Sequence, residues 1–283
     1  NHLKVLSLFH HLMEVLQTIK IGKLNLTYSE LGVKVDLFDS DQVLPFSVPS
    51  EEGYSVSWNE FLNGFDIIVP HGKLFYSESF FNKKISDRSV EYFLENNSNN
   101  WKSTDWTKVE KDLLNEVEFK NIDWHHDKIK MYGKEIYLPR FSAWYGDSDN
   151  PYTYSGLTLQ PKKWNAGLLY IKNQISKASG VNFNSVLMNW YRNGDDHINW
   201  HTDAEKELGV NPTIGSVNFG EERDFVIRLN DKSSKITIPL KHGTFLLMSG
   251  ELQHFWQHSV PKRKKVKGSR FNLTFRVINH EST

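Results

Sequence analysis

Cysteine is absent from all 283 residues, which excludes disulfides, thiolate zinc sites, iron–sulfur clusters and a thiol nucleophile together. Such a chain suits a reducing compartment. An excess of either charge is missing too. The 34 Lys and Arg balance 34 Asp and Glu, so no global field draws the molecule onto nucleic acid or an anionic membrane, and polyanion binding has to come from local patches. No apolar run approaches the ~18 residues of a membrane span. The start lacks the basic segment, apolar stretch and small-residue cleavage site of a signal peptide. The expectation is a soluble intracellular protein, cytoplasmic, or nuclear in a eukaryote, monomeric and with no membrane partner. Residue 1 is Asn and not Met, so the chain start is expected to be truncated, processed or set by how the reading frame was defined.

What is present is a chemically loaded C-terminal half. His201-Thr202-Asp203 is followed by His258. In an extended segment alternate side chains point the same way, so His201 and Asp203 can bite one ion together, with His258 arriving from a distant strand. Two imidazoles and a carboxylate hold one face of a ferrous ion and leave the other face open. Alone, a His-x-Asp tripeptide is weak evidence in a chain with 12 His.

Downstream, Arg270, Asn272, Thr274 and Arg276 alternate with Phe271, Leu273, Phe275 and Val277, the period of a strand with one polar and one apolar face. An isolated strand of this pattern lies on the surface with its polar face in water. The other reading turns that face inward. The two arginines would then stand about 20 Å apart at ~3.3 Å per residue and engage the ends of a short dicarboxylate, to which a guanidinium fork is matched.

Apolar spacing predicts an amphipathic helix over residues 2–20; residues 21–60 show no period. Short strands are expected at Asp66–Pro70 and Gly72–Tyr76, and helices at Ser86–Leu94 and 161–179. Strand then follows strand: Ser185–Tyr191, Thr213–Phe219, Asp224–Leu229, Lys235–Pro239, Thr244–Met248, Phe255–His258 and Arg270–Ile278. Successive strands separated by Gly, Asn and Pro turns predict an α+β chain with a mainly β core, a double-stranded β-helix (jelly roll) with flanking helices. The expected division is 1–64, an N-terminal segment of unassigned role, and 65–283, the jelly-roll domain, with its core at about 183–279.

The stretch from about Lys130 onward resembles the AlkB-like DNA and RNA dealkylases, dioxygenases dependent on Fe(2+) and 2-oxoglutarate, in their eukaryotic-type DNA-repair branch. The blocks that carry the likeness occur in family order. They are Tyr132-Gly133-Lys134, Tyr152-Thr153-Tyr154-Ser155-Gly156, Phe183 to Tyr191, the His201 tripeptide, Ser216 to Gly220 with Arg223-Asp224-Phe225, and Trp256 to Pro261.

The resemblance implies that His201, Asp203 and His258 ligate iron and carry catalysis. It implies that Asn189, Tyr191, Arg270, Asn272, Thr274 and Arg276 bind 2-oxoglutarate, with Arg270 at the carboxylate remote from iron and Arg276 at the nearer one. Nucleotide-recognition elements would span about 130–156: Tyr132, Gly133 and Lys134 on a substrate-facing hairpin, and Tyr152, Thr153 and Tyr154 against an extruded base. Ala204 stands where the closest branch has an acidic residue, and Glu205 is the expected substitute. The implied activity uses O2 and 2-oxoglutarate to remove alkyl groups from bases such as N1-methyladenine and N3-methylcytosine, in DNA alkylation repair, with alkylated DNA or RNA as partner. Two alternatives stand beside it: a related oxygenase hydroxylating a protein or small molecule, and a non-catalytic methyl-nucleic-acid binding module.

Trp144 is expected to pack in the core. The basic run Lys262-Arg263-Lys264-Lys265 with Lys267 reads equally as a solvated loop or as a phosphate contact.

Overall fold

In a computed structural model the described residues are 42–114, 116–131, 134–147, 152–154, 157–159 and 161–279, with Lys20–Ile21 and Leu24–Asn25. The chain divides into Asn1–Val43 and a compact unit, Leu44–Thr283. In the first, β1 (Lys20–Ile21) pairs antiparallel with β2 (Leu24–Asn25). Apart from Lys20, the helix expected over 2–20 lies outside the described residues.

The compact unit holds β3 (Ser55–Asn59), β4 (Gly64–Val69), β5 (Gly72–Ser77), α1 (Lys83–Leu94), α2 (Lys111–Leu114), β6 (Lys128–Met131), β7 (Lys134–Tyr137), β8 (Phe141–Gly146), β9 (Tyr152–Tyr154), β10 (Leu157–Leu159) and α3 (Ala166–Ser179). It continues through β11 (Ser185–Tyr191), β12 (Ile198–His201), a 3₁₀ turn (Lys206–Leu208), β13 (Ile214–Gly220), β14 (Arg223–Leu229) and β15 (Lys235–Leu240). It ends with β16 (Phe245–Gly250), α4 (Leu252–Phe255), β17 (Trp256–Val260) and β18 (Arg270–Arg276). The strands either side of residue 64 share one sheet, since β3 pairs with β4.

Two sheets form the jelly roll. One has eight strands in the order β3-β4-β5-β16-β13-β18-β11-β8, the other four in the order β12-β17-β14-β15. From β11 to β18 the chain crosses repeatedly between them, so that β11, β13, β16 and β18 lie in the large sheet and β12, β14, β15 and β17 in the small one. Every pairing is antiparallel. The two hairpins β6–β7 and β9–β10 stand apart from these sheets.

Period two sorts the large sheet's side chains. Phe271, Leu273 and Phe275 of β18 and Val186, Met188 and Trp190 of β11 turn to the outer face, where they pack with Phe93, Leu168, Ile171 and Ile175 of the helices. Apolar residues of the small sheet, Phe225, Ile227, Ile236 and Ile238, meet Tyr191, Leu246 and Met248 in the space between the sheets. At about 25 cal/mol per Å² these two layers supply the main drive for folding.

Both helices begin where an asparagine satisfies a free amide, and this fixes boundaries that periodicity leaves open. Asn82 accepts from the Ile85 N–H, so α1 starts before Ser86, and Asn165 accepts from the Leu168 N–H, so α3 starts after residue 161. Gly180, at φ 72°, ends α3 in the left-handed conformation that glycine adopts without a Cβ penalty.

Candidate metal centre

His201 and His258 are directly opposite one another in the β12–β17 register, with ring centroids 4.2 Å apart. Asp203 follows β12 and is 2% exposed. His258 Nε2 lies 3.8 Å from Asp203 Oδ2. One donor atom from each of the three residues falls within 4.8 Å of the others, close enough to converge on a single ion.

Neighbours fix these donors. His201 Nδ1 bonds the Asn199 carbonyl at 2.8 Å, which makes Nδ1 the protonated nitrogen and leaves Nε2 with its lone pair free. The Asp203 backbone N–H donates to Gln253 Oε1 at 2.9 Å. Arg276 Nη2 donates to Asp203 Oδ1 at 2.8 Å. Burial pushes the Asp203 carboxyl up, but the Arg276 guanidinium and the two imidazoles outweigh it and hold it at about 2. Burial, then the His201 ring, hold the His258 imidazole down at about 3 against the opposing pull of Asp203. At neutral pH Asp203 is therefore a carboxylate and His258 a neutral base, the protonation states a divalent metal requires.

The polar face of β18 points into the same cavity. Leu187, Asn189 and Tyr191 of β11, Ser216 of β13, and Arg270, Asn272, Thr274 and Arg276 of β18 line it together with His201, Asp203 and His258. The register explains this convergence: Tyr191 faces Arg270, Asn189 faces Asn272 and Asn218 faces Asn272 from the other side. Of the two readings of β18, the structure bears out the inward one. A second sheet covers that face, and Arg270 and Arg276 are 1% and 3% exposed.

The two arginines differ in what they hold. Arg276 is committed to Asp203. Arg270 donates one nitrogen, Nη2, to Asn218 Oδ1 and lies over the Tyr191 ring at 5.0 Å. Its Nε and Nη1 are buried with no hydrogen-bond partner among the described residues. Burial lowers this guanidinium to about 10. A buried cation with two unsatisfied donors is costly on its own and calls for an anionic ligand. The donor sets thus fit a divalent metal at one end of the cavity and a carboxylate at the other.

Several contributors carried little sequence signal. Asn218 and Ser216 bond Asn272 Nδ2 at 3.2 and 2.8 Å. Arg140 Nε donates to Asn189 Oδ1 at 2.8 Å, which orients that amide from β8's neighbouring turn. Gln253 lies in a short helix remote in sequence from Asp203, and only the fold brings them together.

The other expected residues belong to different elements. Lys134 begins β7, and Tyr152, Thr153 and Tyr154 form β9. Tyr132 and Gly133 lie outside the described residues. Glu205 precedes the 3₁₀ turn two residues beyond Asp203. Trp144 is buried with Leu187, Leu208 and Ile278. Lys262 to Lys265 and Lys267 form the exposed loop between β17 and β18.

Residues 99–276 match the model of the 2OG-Fe(II) oxygenase superfamily. Among curated proteins the chain is 44% identical over 159 residues to the human "DNA oxidative demethylase ALKBH2", covering 53% of this chain and 61% of that one. It is 44% identical over 150 residues to the "Alpha-ketoglutarate-dependent dioxygenase alkB homolog 3" of Bos taurus, covering 50% of this chain and 52% of that one. The Arabidopsis thaliana "DNA oxidative demethylase ALKBH2" is 34% identical over 186 residues, 56% of this chain and 59% of that one. The chain thus matches about three fifths of the human relative's length. No helix among the described residues is long and apolar enough to cross a membrane.

Proposed function

The chain belongs to the 2OG-Fe(II) oxygenase superfamily, and from that premise we propose that it is an iron(II)- and 2-oxoglutarate-dependent dioxygenase that removes alkyl groups from nucleic-acid bases. The observation that carries the proposal is a single cavity with a His-Asp-His donor set at one end and the under-satisfied Arg270 at the other. In this reading His201, Asp203 and His258 hold the metal. Asn189, Tyr191, Arg270, Asn272, Thr274 and Arg276 hold 2-oxoglutarate, with Arg270 at the carboxylate far from the metal. When bound, iron(II) with 2-oxoglutarate and dioxygen supplies the oxidation of an alkyl carbon on a base nitrogen, and the hydroxylated product releases an aldehyde.

The protein's part is to bind, orient and exclude water. His258 arrives without a proton and Asp203 with a charge, so neither has to titrate for metal to bind at neutral pH. Arg276 keeps the Asp203 carboxylate in one orientation. Arg270 offers its free N–H groups to anionic oxygen, with the Tyr191 ring beneath it. The apolar walls Leu187, Ile198, Phe225, Met248 and Val260 shield the reacting centre from bulk water.

On the substrate side, Tyr132, Gly133, Lys134, Tyr152, Thr153, Tyr154 and Glu205 are assigned to the extruded base and its strand. The basic loop after His258 is assigned to phosphates. The curated relatives' names speak of DNA demethylation, which supports nucleic acid over a protein or metabolite substrate.

The test is mass-spectrometric turnover on single-stranded DNA, duplex DNA and RNA carrying N1-methyladenine or N3-methylcytosine, with iron, 2-oxoglutarate and ascorbate. Loss of the methyl group in step with succinate formation is expected for at least one substrate. Succinate without demethylation of any of them would overturn the nucleic-acid reading and leave the oxygenase.

A further inference from the structure

The turn Arg192–His197 joins β11 to β12, and the basic loop Lys262–Lys267 joins β17 to β18. Backbone hydrogen bonds zip the two together. The Gly194 N–H donates to the Val266 carbonyl at 2.9 Å, and the Arg263 N–H donates to the Gly194 carbonyl at 2.7 Å. A Cβ on Gly194 would lie 1.7 Å from the Arg263 carbonyl oxygen and 3.0 Å from that of Val266. Glycine is demanded here by close approach of a second backbone.

The turn is itself anchored. Arg192 forks onto Asp196 with bonds of 2.8 and 2.7 Å, both side chains buried. The buried Arg223 donates Nη1 to the Asn193 carbonyl at 3.0 Å, and Nη2 to the carbonyls of Asp196 at 2.9 Å and Pro261 at 2.7 Å. One guanidinium thus holds the turn and the first residue before the loop. Val260, adjacent to Pro261, lines the metal cavity.

The loop's charges are available. Arg263 pairs with Asp224, whereas Lys262, Lys264, Lys265 and Lys267 form no ion pair among the described residues. Long lysines on a free loop lose entropy on binding, and a pre-ordered backbone removes part of that cost. We propose that Gly194 is a positioning residue: by admitting the Arg263 backbone it fixes the basic loop beside the metal cavity, so that its lysines meet substrate phosphates from a preset backbone. This inference rests on the nucleic-acid reading above.

The test is Gly194→Ala in the full chain, assayed on whichever methylated oligonucleotide the wild type demethylates. KM is expected to rise about tenfold, and the slope of log affinity against log salt to become shallower by about one. The kcat should stay within about twofold, and 2-oxoglutarate turnover without oligonucleotide should be unchanged. In a Lys264→Gln/Lys265→Gln background the same substitution should add little, because its target is already removed. A wild-type KM and salt slope would overturn the inference, as would a full additive effect in that background or a parallel loss of substrate-free turnover. If Gly194→Ala does not fold, the Lys264→Gln/Lys265→Gln protein alone decides, because an unchanged KM and slope there would leave the clasp nothing to position. A wild type that neither binds nor demethylates any oligonucleotide would instead remove the functional reading beneath the inference.

Discussion

Replacing Arg270 by methionine should make the ligand-free protein more stable and the enzyme nearly useless. The side chain is 1% exposed, and burial draws its guanidinium from 12.5 down to about 10. At 1.36 kcal/mol per unit, the folded environment disfavours the charged form by about 3 kcal/mol. The interactions with Tyr191 are already included in that balance, and the neighbouring Arg223 adds repulsion. Methionine retains most of the volume and has no polar atom needing a partner, so the free protein should gain about 1–4 kcal/mol. At about 2–4 °C per kcal/mol for a domain of this size, the melting temperature should rise measurably.

The same substitution removes charge-assisted hydrogen bonds worth about 1.5–3 kcal/mol each, so 2-oxoglutarate affinity should fall at least about a hundredfold. The assay is chemical denaturation with manganese as a redox-silent metal, with and without 2-oxoglutarate. Saturating ligand at a hundredfold excess over Kd should stabilise the wild type by about 2.7 kcal/mol and leave Arg270→Met unmoved. A variant that is less stable than wild type without ligand, or that keeps the full ligand shift, would refute the reasoning.

Two further outcomes follow from the metal end. In chelator, the folded His258 imidazole titrates at about 3 instead of 6.5. Below pH 6.5 the unfolded chain binds a proton that the folded one refuses, so this contribution is complete above 6.5 and is lost as pH falls toward 3. Between pH 7 and 5 the metal-free protein should lose about 2 kcal/mol, a loss absent from His258→Gln; equal pH slopes in the two proteins would contradict it. Asp203, held at about 2, titrates below this window. Gln253→Ala leaves the three donors in place but frees the Asp203 backbone from its 2.9 Å bond, so metal affinity should fall about tenfold. Unchanged affinity by metal titration would show that Gln253 does not orient the ligand.

Much of the site was legible because strands have period two. Ser185–Tyr191 was expected with those bounds, and the alternation of β18 divides its residues correctly between helix-facing and cavity-facing sets. The direction of the polar face was not legible from that strand alone. Alternation is the same whether water or a second sheet lies opposite, and what favoured the interior was the spacing of the two arginines after a metal-ligating triad, with the ordered blocks of the family resemblance. The edge strand Ser55–Asn59 escaped notice because its burial is slight: Val56 is 42% exposed, so no apolar stripe marks it. The His201 strand is short and irregular, with a register shift between Ile198 and His201. Contacts such as Gln253 with Asp203 and Gly194 with Arg263 join residues far apart in the chain, and local pattern carries no information about them.

The central claim is that one cavity holds iron through His201, Asp203 and His258 and chelates 2-oxoglutarate onto it. The most direct measurement is the visible charge-transfer absorption of iron(II) chelated by a 2-keto acid, recorded without oxygen. The wild type should develop the band when both iron(II) and 2-oxoglutarate are present, Asp203→Ala and His258→Ala should not, and Arg270→Met should need at least about a hundredfold more 2-oxoglutarate. Absence of the band in folded wild type, or its persistence at full strength in the two ligand variants, would contradict the account.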